Sequence, residues 1–313
     1  MRKKQPVTEP WCVLLAGRED PQRSGITAQG RSAAAQQPAL TKRDPVTATL
    51  RRAAMLTSPD RIAAVITAPA DNWRQSSLRE LGIRNLFVQP SQRGTAYEVL
   101  LALLLLESRI SPSTAVLFLP TDNTVDDEEV MTNSLMTMAE WMADEPGSVF
   151  LLGAVPQGPH DQLGYIIPWL DAMLMPTGVY EFVERPDVHR ARKLINAGGL
   201  WNTFTFGGSV DSLVRLFRPT FDATIADLRA ALQSDPIERN LVRSYDRLTP
   251  VDFSQDLLTR QTDNLKVLRL LRCGWWPLKS PTPNPPHLST LPHGSNRVAP
   301  PREQGRSTPI GGA

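Results

Sequence analysis

A chain of 313 residues, 41% of them hydrophobic, is long enough to bury one large core, or one core with a small appendage. Its two cysteines, Cys12 and Cys273, exclude a disulfide framework and suit a reducing cytosol; its four histidines, His160, His189, His287 and His293, lack zinc-like spacing and exclude a structural zinc site. The net charge of +2 is uneven: from Trp275 onward Lys279, Arg297, Arg302 and Arg306 face only Glu303, which leaves the rest near −1 and without the basic face a nucleic-acid binder needs.

Met1-Arg2-Lys3-Lys4 is followed by Pro6, Thr8, Glu9 and Pro10 instead of an apolar stretch, and the greasiest segment, 99–106, is too short to span a bilayer. A cytoplasmic protein with no membrane or nucleic-acid partner is expected; oligomeric state is not written in the sequence. Residues 11–16 form an apolar run ending in Gly17, a first strand feeding a turn. Residues 18–45, rich in Arg, Gln, Ala, Gly and Pro, read as a long loop. A helix over 46–56 leads to a strand at 62–67, a helix at 76–81 and a strand at 86–89.

Residues 95–108 read as a helix with a broad apolar face, 115–119 as a central strand, and 127–143 as an amphipathic helix with acids at its start, where the helix dipole favours them. Strands follow at 149–154, 165–168 and 179–183, then helices at 189–196, 213–217 and 225–232. Alternation of helices and strands indicates an α/β fold. Composition turns to Pro, Ser, Asn and Gly after Trp276, which predicts a flexible 1–10, a folded 11–275 and a Pro-rich disordered tail over 276–313.

Two strand-to-loop junctions concentrate chemistry. Phe87-Val88-Gln89-Pro90-Ser91-Gln92-Arg93-Gly94-Thr95-Ala96 and, one helix later, Val116-Leu117-Phe118-Leu119-Pro120-Thr121-Asp122-Asn123 place Gln, Gly and Asp at the carboxyl ends of strands, where open α/β sheets bind nucleotides. Gln89 carries a donor and an acceptor, Gly94 admits close backbone approach, and Asp122 is a hard oxygen donor suited to magnesium. The same residues also suit an ordinary strand-to-helix turn and a helix cap.

These junctions, with Leu163-Gly164-Tyr165-Ile166, Phe182-Val183-Glu184-Arg185-Pro186-Asp187 and Leu200-Trp201-Asn202-Thr203-Phe204, resemble the mannose-1-phosphate guanylyltransferases, a branch of the sugar-nucleotide pyrophosphorylases. The resemblance spans about residues 11–278. It implies a Rossmann-like nucleotidyltransferase fold with a mixed, mostly parallel sheet flanked by helices. It further implies Mg2+ as cofactor, and GTP and a sugar 1-phosphate as substrates. By it Gly17, Gln89, Gly94, Thr95 and Ala96 would bind nucleotide and Asp122 the metal. Gly164, Glu184 and Asn202 would face the sugar, and Arg185 the sugar phosphate; arginine stands there for the family's lysine and changes the geometry.

Three motifs depart from the family. Its first loop, G-G-x-G-x-R-L, stands here as Gly17-Arg18-Glu19-Asp20-Pro21-Gln22-Arg23, with two glycines lost, two acids gained and a donor removed at Pro21; Arg23 is the candidate for the family's arginine. The family's P-K-Q lysine has no counterpart near Ala34, Ala35 and Gln36, and the spacing does not favour Lys42. Its C-G-W-S-D-L-G ends here as Cys273-Gly274-Trp275-Trp276-Pro277-Leu278-Lys279, with proline in place of a second metal-binding acid, and Asp252 matches a segment of structural role. Three functions therefore stay open: the guanylyl transfer itself, a non-catalytic relative that binds a nucleotide or nucleotide sugar, and a degenerate copy with a tail read in an altered frame.

Overall fold

Along the first strand, β1 (Trp11–Leu15), Val13 and Leu15 join one apolar layer while Cys12 and Leu14 join another. The second strand, β2 (Ile62–Thr67), divides in the same way, Ala63 and Val65 against Ile62, Ala64 and Ile66. Side chains alternate across a strand, so a continuous apolar run fits only a strand buried on both faces. The computed structural model describes residues 9–17, 44–68, 72–170 and 175–278, with the side chains of 72–74 left aside. The loop expected over 18–45 and the tail from 279 fall almost wholly outside these residues.

The chain continues through α1 (Pro45–Ala54), β2, α2 (Asn72–Glu80), β3 (Asn85–Gln89), α3 (Thr95–Glu107), β4 (Ala115–Pro120), β5 (Asn123–Thr124), α4 (Glu128–Asp144) and β6 (Val149–Ala154). Then come β7 (Tyr165–Pro168), β8 (Thr177–Val183), α5 (Val188–Asn196), β9 (Leu200–Ser209), α6 (Val210–Gln233), α7 (Ile237–Asp246), β10 (Leu265–Leu270) and β11 (Trp276–Pro277). Among the described residues nine strands form one sheet in the order β3-β2-β1-β4-β9-β6-β10-β8-β7. It is an α/β fold with a mixed sheet. Parallel pairing is confined to β3-β2-β1-β4 and to the β6–β10 pair, and every other pairing is antiparallel.

Asp44 caps α1 by accepting the Val46 N–H at 3.2 Å, Asp127 caps α4 through Val130 at 3.1 Å, and Asp187 caps α5 through Arg190 at 2.8 Å. The backbone N–H of Arg190 is also the main reason the Asp187 carboxyl is held below its ordinary range. α3 is buried on nearly all sides, as its run of leucines requires. The helices read at 213–217 and 225–232 lie on either side of a kink within α6, where Phe221 leaves helical geometry just after Pro219.

Three elements carried no clear signal in the sequence. β9 is central and antiparallel to β4 and β6, yet its Asn202, Thr203 and Gly207-Gly208 break an apolar strand pattern. α7 and β10 were likewise not foreseen. Trp276 and Pro277, set outside the folded unit by composition, pair antiparallel with β5, and Leu278 N–H donates to the Asp122 carbonyl at 2.9 Å. The described fold therefore runs to 278 and not to 275: the backbone of β5 offers hydrogen bonds that composition does not reveal.

No helix among the described residues is long and apolar enough to cross a membrane. Both cysteines are free and buried. Burial pushes the Cys12 thiol up to about 12 from 9.0, and burial is also the main cause that raises Cys273 to about 11. Neither thiol should react with a thiol reagent at pH 8 until the protein is unfolded, which a colorimetric titration with and without denaturant checks. Because both folded-state values are raised, this contribution to stability is full below pH 9.0 and is lost as pH rises through 11 to 12.

Candidate functional site

The carboxyl ends of β1, β2, β3 and β4 lie side by side, with Leu15 in register with Pro120 and Thr67 with Gln89. Gly17 follows β1. Its N–H donates to Glu98 Oε1 at 3.1 Å, and its carbonyl accepts from Thr67 Oγ1 at 3.2 Å and from Gln92 Nε2. A Cβ on Gly17 would stand 2.8 Å from Glu98 Oε1 and 3.1 Å from Gln89 Nε2, so a larger residue would have to push these side-chain ends aside. Gln89 closes β3 and is fully buried. Its Nε2 donates to Thr67 Oγ1 at 2.8 Å, while its Oε1 has no hydrogen-bond partner. A buried acceptor left open is a point at which a ligand donor gains a full hydrogen bond.

Gly94 caps α3 at φ 90°, and a Cβ there would lie 2.1 Å from the Val251 carbonyl oxygen. The next two residues face the same segment. Phe253 N–H donates to Thr95 Oγ1 at 2.8 Å and Ala96 N–H donates to the Val251 carbonyl at 3.2 Å. Gly94, Thr95 and Ala96 are thus engaged with residues 251–253, which sequence reasoning does not foresee because the two segments lie far apart in the chain.

Asp122 stands just past β4 and is partly exposed. Thr121 Oγ1 donates to the Leu15 carbonyl at 3.0 Å and so ties the ends of β1 and β4 together. Asn123 is buried and accepts from Arg52 Nη1 at 3.1 Å; the Arg52 guanidinium also reaches both carboxylate oxygens of Glu128, at 2.6 and 2.8 Å. Asp126 and Asp127 both donate their N–H to the Cys273 carbonyl, at 2.9 and 3.0 Å. Among the described residues no three His, Cys, Asp or Glu side chains gather as a metal cage. Asp122 is thus one hard oxygen donor at the end of β4 rather than part of a protein-built cage. Arg23 lies outside the described residues.

A second group forms where β7, β8 and β9 meet. Asn202 N–H donates to the Gly164 carbonyl at 2.8 Å, and a Cβ on Gly164 would lie 2.5 Å from Glu184 Oε2. Asn202 Nδ2 donates to Ser254 Oγ at 3.3 Å, and its Oδ1 accepts the Phe204 N–H at 3.1 Å. Arg185 is half exposed, with Nε 3.3 Å from Glu184 Oε1 and Nη2 3.7 Å from Asp252 Oδ2. Its φ of 46° is left-handed, a costly state for a side-chain-bearing residue. Below them Tyr165 Oη accepts from Trp201 Nε1 at 3.0 Å and from the His160 N–H at 2.8 Å.

Gly164, Glu184, Arg185 and Asn202, expected to act together, therefore share one place. Two residues there were not foreseen as site residues. Asp252, read as structural, faces Arg185, and Ser254 faces Asn202. The segment 251–254 also holds Gly94, Thr95 and Ala96, so it joins the two candidate half-sites directly. The sequence signal was present only as Val251-Asp252-Phe253-Ser254 itself; its partners are set by folding.

Comparison with known proteins agrees with this architecture. The structure superposes on mannose-1-phosphate geranyltransferase from Thermus thermophilus with a TM-score of 0.68 at 24% identity, covering 86% of this chain and 76% of that one. It superposes on mannose-6-phosphate isomerase from Helicobacter pylori with a TM-score of 0.64 at 14% identity, covering 85% and 98%. At these identities the likeness is one of fold. In sequence, 136 residues are 32% identical to alginate biosynthesis protein AlgA of Pseudomonas fluorescens, and AlgA of Pseudomonas aeruginosa matches at the same level. That match takes in 42% of this chain and only 27% of the relative. The model of the nucleotidyl transferase family matches residues 30–214, more than half of the chain, and the chain belongs to that family.

Proposed function

We propose that this protein is a sugar-nucleotide pyrophosphorylase that transfers GMP from GTP to mannose 1-phosphate, giving GDP-mannose and pyrophosphate. The observation that carries the reading is that Arg185 and Asn202, which also touch Glu184 and Gly164, meet a segment, 251–254, that is hydrogen-bonded to Thr95 and Ala96. In the transfer a phosphate oxygen of the sugar phosphate bonds to the α-phosphorus, and the bond from that phosphorus to the bridging oxygen breaks. Pyrophosphate leaves with the electron pair. Gln89 Oε1 would accept from a base N–H, and the Arg185 guanidinium would pair with the sugar phosphate. Glu184 and Asn202 would accept from and donate to sugar hydroxyls. Asp122 would hold Mg2+, which when bound neutralises charge on phosphate oxygens.

Pyrophosphate release from the purified full chain with magnesium, GTP and mannose 1-phosphate tests this, with other triphosphates and sugar phosphates in parallel. Release that requires both substrates is the expected result; no release under any pairing overturns it. Arg185→Ala should raise KM for the sugar phosphate by about tenfold or more while changing KM for GTP little, because a charge-assisted pair to phosphate is lost. Equal shifts in both constants would remove Arg185 from the sugar-phosphate role.

A second reading is a non-catalytic relative that binds a nucleotide or nucleotide sugar. It is favoured by one observation: the Gly17 N–H, at the head of the loop that would cradle phosphate, is already bonded to a carboxylate.

A further inference from the structure

Arg52 stands near the end of α1 and is 4% exposed, an uncommon place for a guanidinium group. Its Nε and Nη2 donate to the two carboxylate oxygens of Glu128, at 2.6 and 2.8 Å, a bidentate pair at the start of α4. Its Nη1 donates to Asn123 Oδ1 at 3.1 Å. Thr49, three residues earlier and so on the same face of α1, is buried and donates from Oγ1 to the Pro120 carbonyl at 3.3 Å. Asn123 Nδ2 donates to that same carbonyl, also at 3.3 Å. One face of α1 therefore grips the chain at residues 120 and 123, on either side of Thr121 and Asp122.

This grip acts where the main sheet gives out. β4 ends at Pro120, and β5, two residues long, pairs among the described residues only with β11, in a separate two-stranded sheet. Such a ribbon has little stability of its own. Leu278 N–H holds the Asp122 carbonyl from the β11 side, and Thr49 and Arg52 hold the turn from the α1 side. A buried ion pair is a weak source of net stability, because apolar residues of similar size commonly serve as well. What a guanidinium supplies and an apolar residue cannot is direction. Its planar fork sets Asn123 and the first turn of α4 at fixed distances from α1.

We propose that Arg52, together with Thr49, is a positioning residue that sets the turn between β4 and β5 so that the Asp122 carboxyl meets the metal ion carried by a nucleoside triphosphate. The inference rests on the metal role proposed for Asp122 and adds the residues that hold it in place. Arg52 acts through Asn123, the neighbour of Asp122, and touches neither nucleotide nor metal. Groups that orient a metal ligand commonly carry about 10- to 100-fold of the metal affinity, which sets the size of the effect.

The test is calorimetric titration of the full chain with GTP, once in Mn2+ and once in EDTA, for the parent, Arg52→Lys, Asp122→Ala and the double variant. Lysine keeps the positive charge and loses the planar fork. The expected result for Arg52→Lys is a loss of about tenfold in affinity for GTP with Mn2+, and a change below about twofold in EDTA. In the Asp122→Ala background the same substitution should add less than about twofold, because the group through which Arg52 acts is gone. Equal losses with and without metal, an undiminished loss in the Asp122→Ala background, or no loss at all would overturn the inference and leave Arg52 a structural residue. If Arg52→Lys does not fold, Thr49→Val, which removes the tie to Pro120, is read by the same cycle and the same criteria. A parent that binds GTP no better in Mn2+ than in EDTA also overturns the inference. Failure of the guanylyl transfer looks different: no pyrophosphate is released, while Mn2+ still strengthens GTP binding and the two substitutions still couple.

Discussion

Asp122→Ala is expected to reduce pyrophosphate release by at least about 10²-fold while leaving the backbone contacts of its loop in place. The reason lies in how the residue is held. Its carbonyl accepts from Leu278 N–H, and the neighbouring Thr121 hydroxyl ties the loop to Leu15; both bonds survive loss of the Asp122 side chain. What the substitution removes is a hard oxygen donor at the end of β4. Binding of Mn2+ in the presence of GTP, followed by paramagnetic resonance, should weaken in parallel. Turnover retained at the parental level would take Asp122 out of the metal role.

Gly94→Ala should cost about 3 kcal/mol of stability or more, a fall of roughly 6–12 °C in melting temperature for a domain of this size. Two effects add. At φ 90° a side chain is strained by itself, and the new methyl would stand 2.1 Å from the Val251 carbonyl oxygen, a backbone atom that cannot swing away. Relief requires the 251–254 segment to move. That segment also carries Asp252 against Arg185 and Ser254 against Asn202, so any folded fraction should show a raised KM for the sugar phosphate as well as for GTP. Urea denaturation gives the first number and initial-rate kinetics the second. A variant as stable as the parent would contradict the tight contact between Gly94 and Val251.

Much of this molecule was legible in one dimension because its signals are local. Apolar runs at β1, β2, β4 and β6 are strands buried on both faces, and their short length between turn residues marks them. The leucine-rich α3 and the acids at the start of α4 follow from helical spacing and the helix dipole. The Phe-Val-Glu-Arg and Leu-Trp-Asn segments were also visible as motifs, since the residues of each stay contiguous in the chain. β9 escaped because its long buried run contains Asn, Thr and two glycines, residues tolerated there only because strands on both sides satisfy and crowd them.

The linear order of residues thus specifies the α/β class, the succession of most elements and the identity of the polar residues at the strand ends. What those residues touch is set by folding: Glu98 on Gly17, Thr95 and Ala96 on the 251–253 backbone, Asp252 on Arg185, and Leu278 on Asp122. Each of these pairs joins positions far apart in the chain. Local propensity acts over a few residues and carries no information about such partners; only packing of the sheet and its helices brings them within reach of one another.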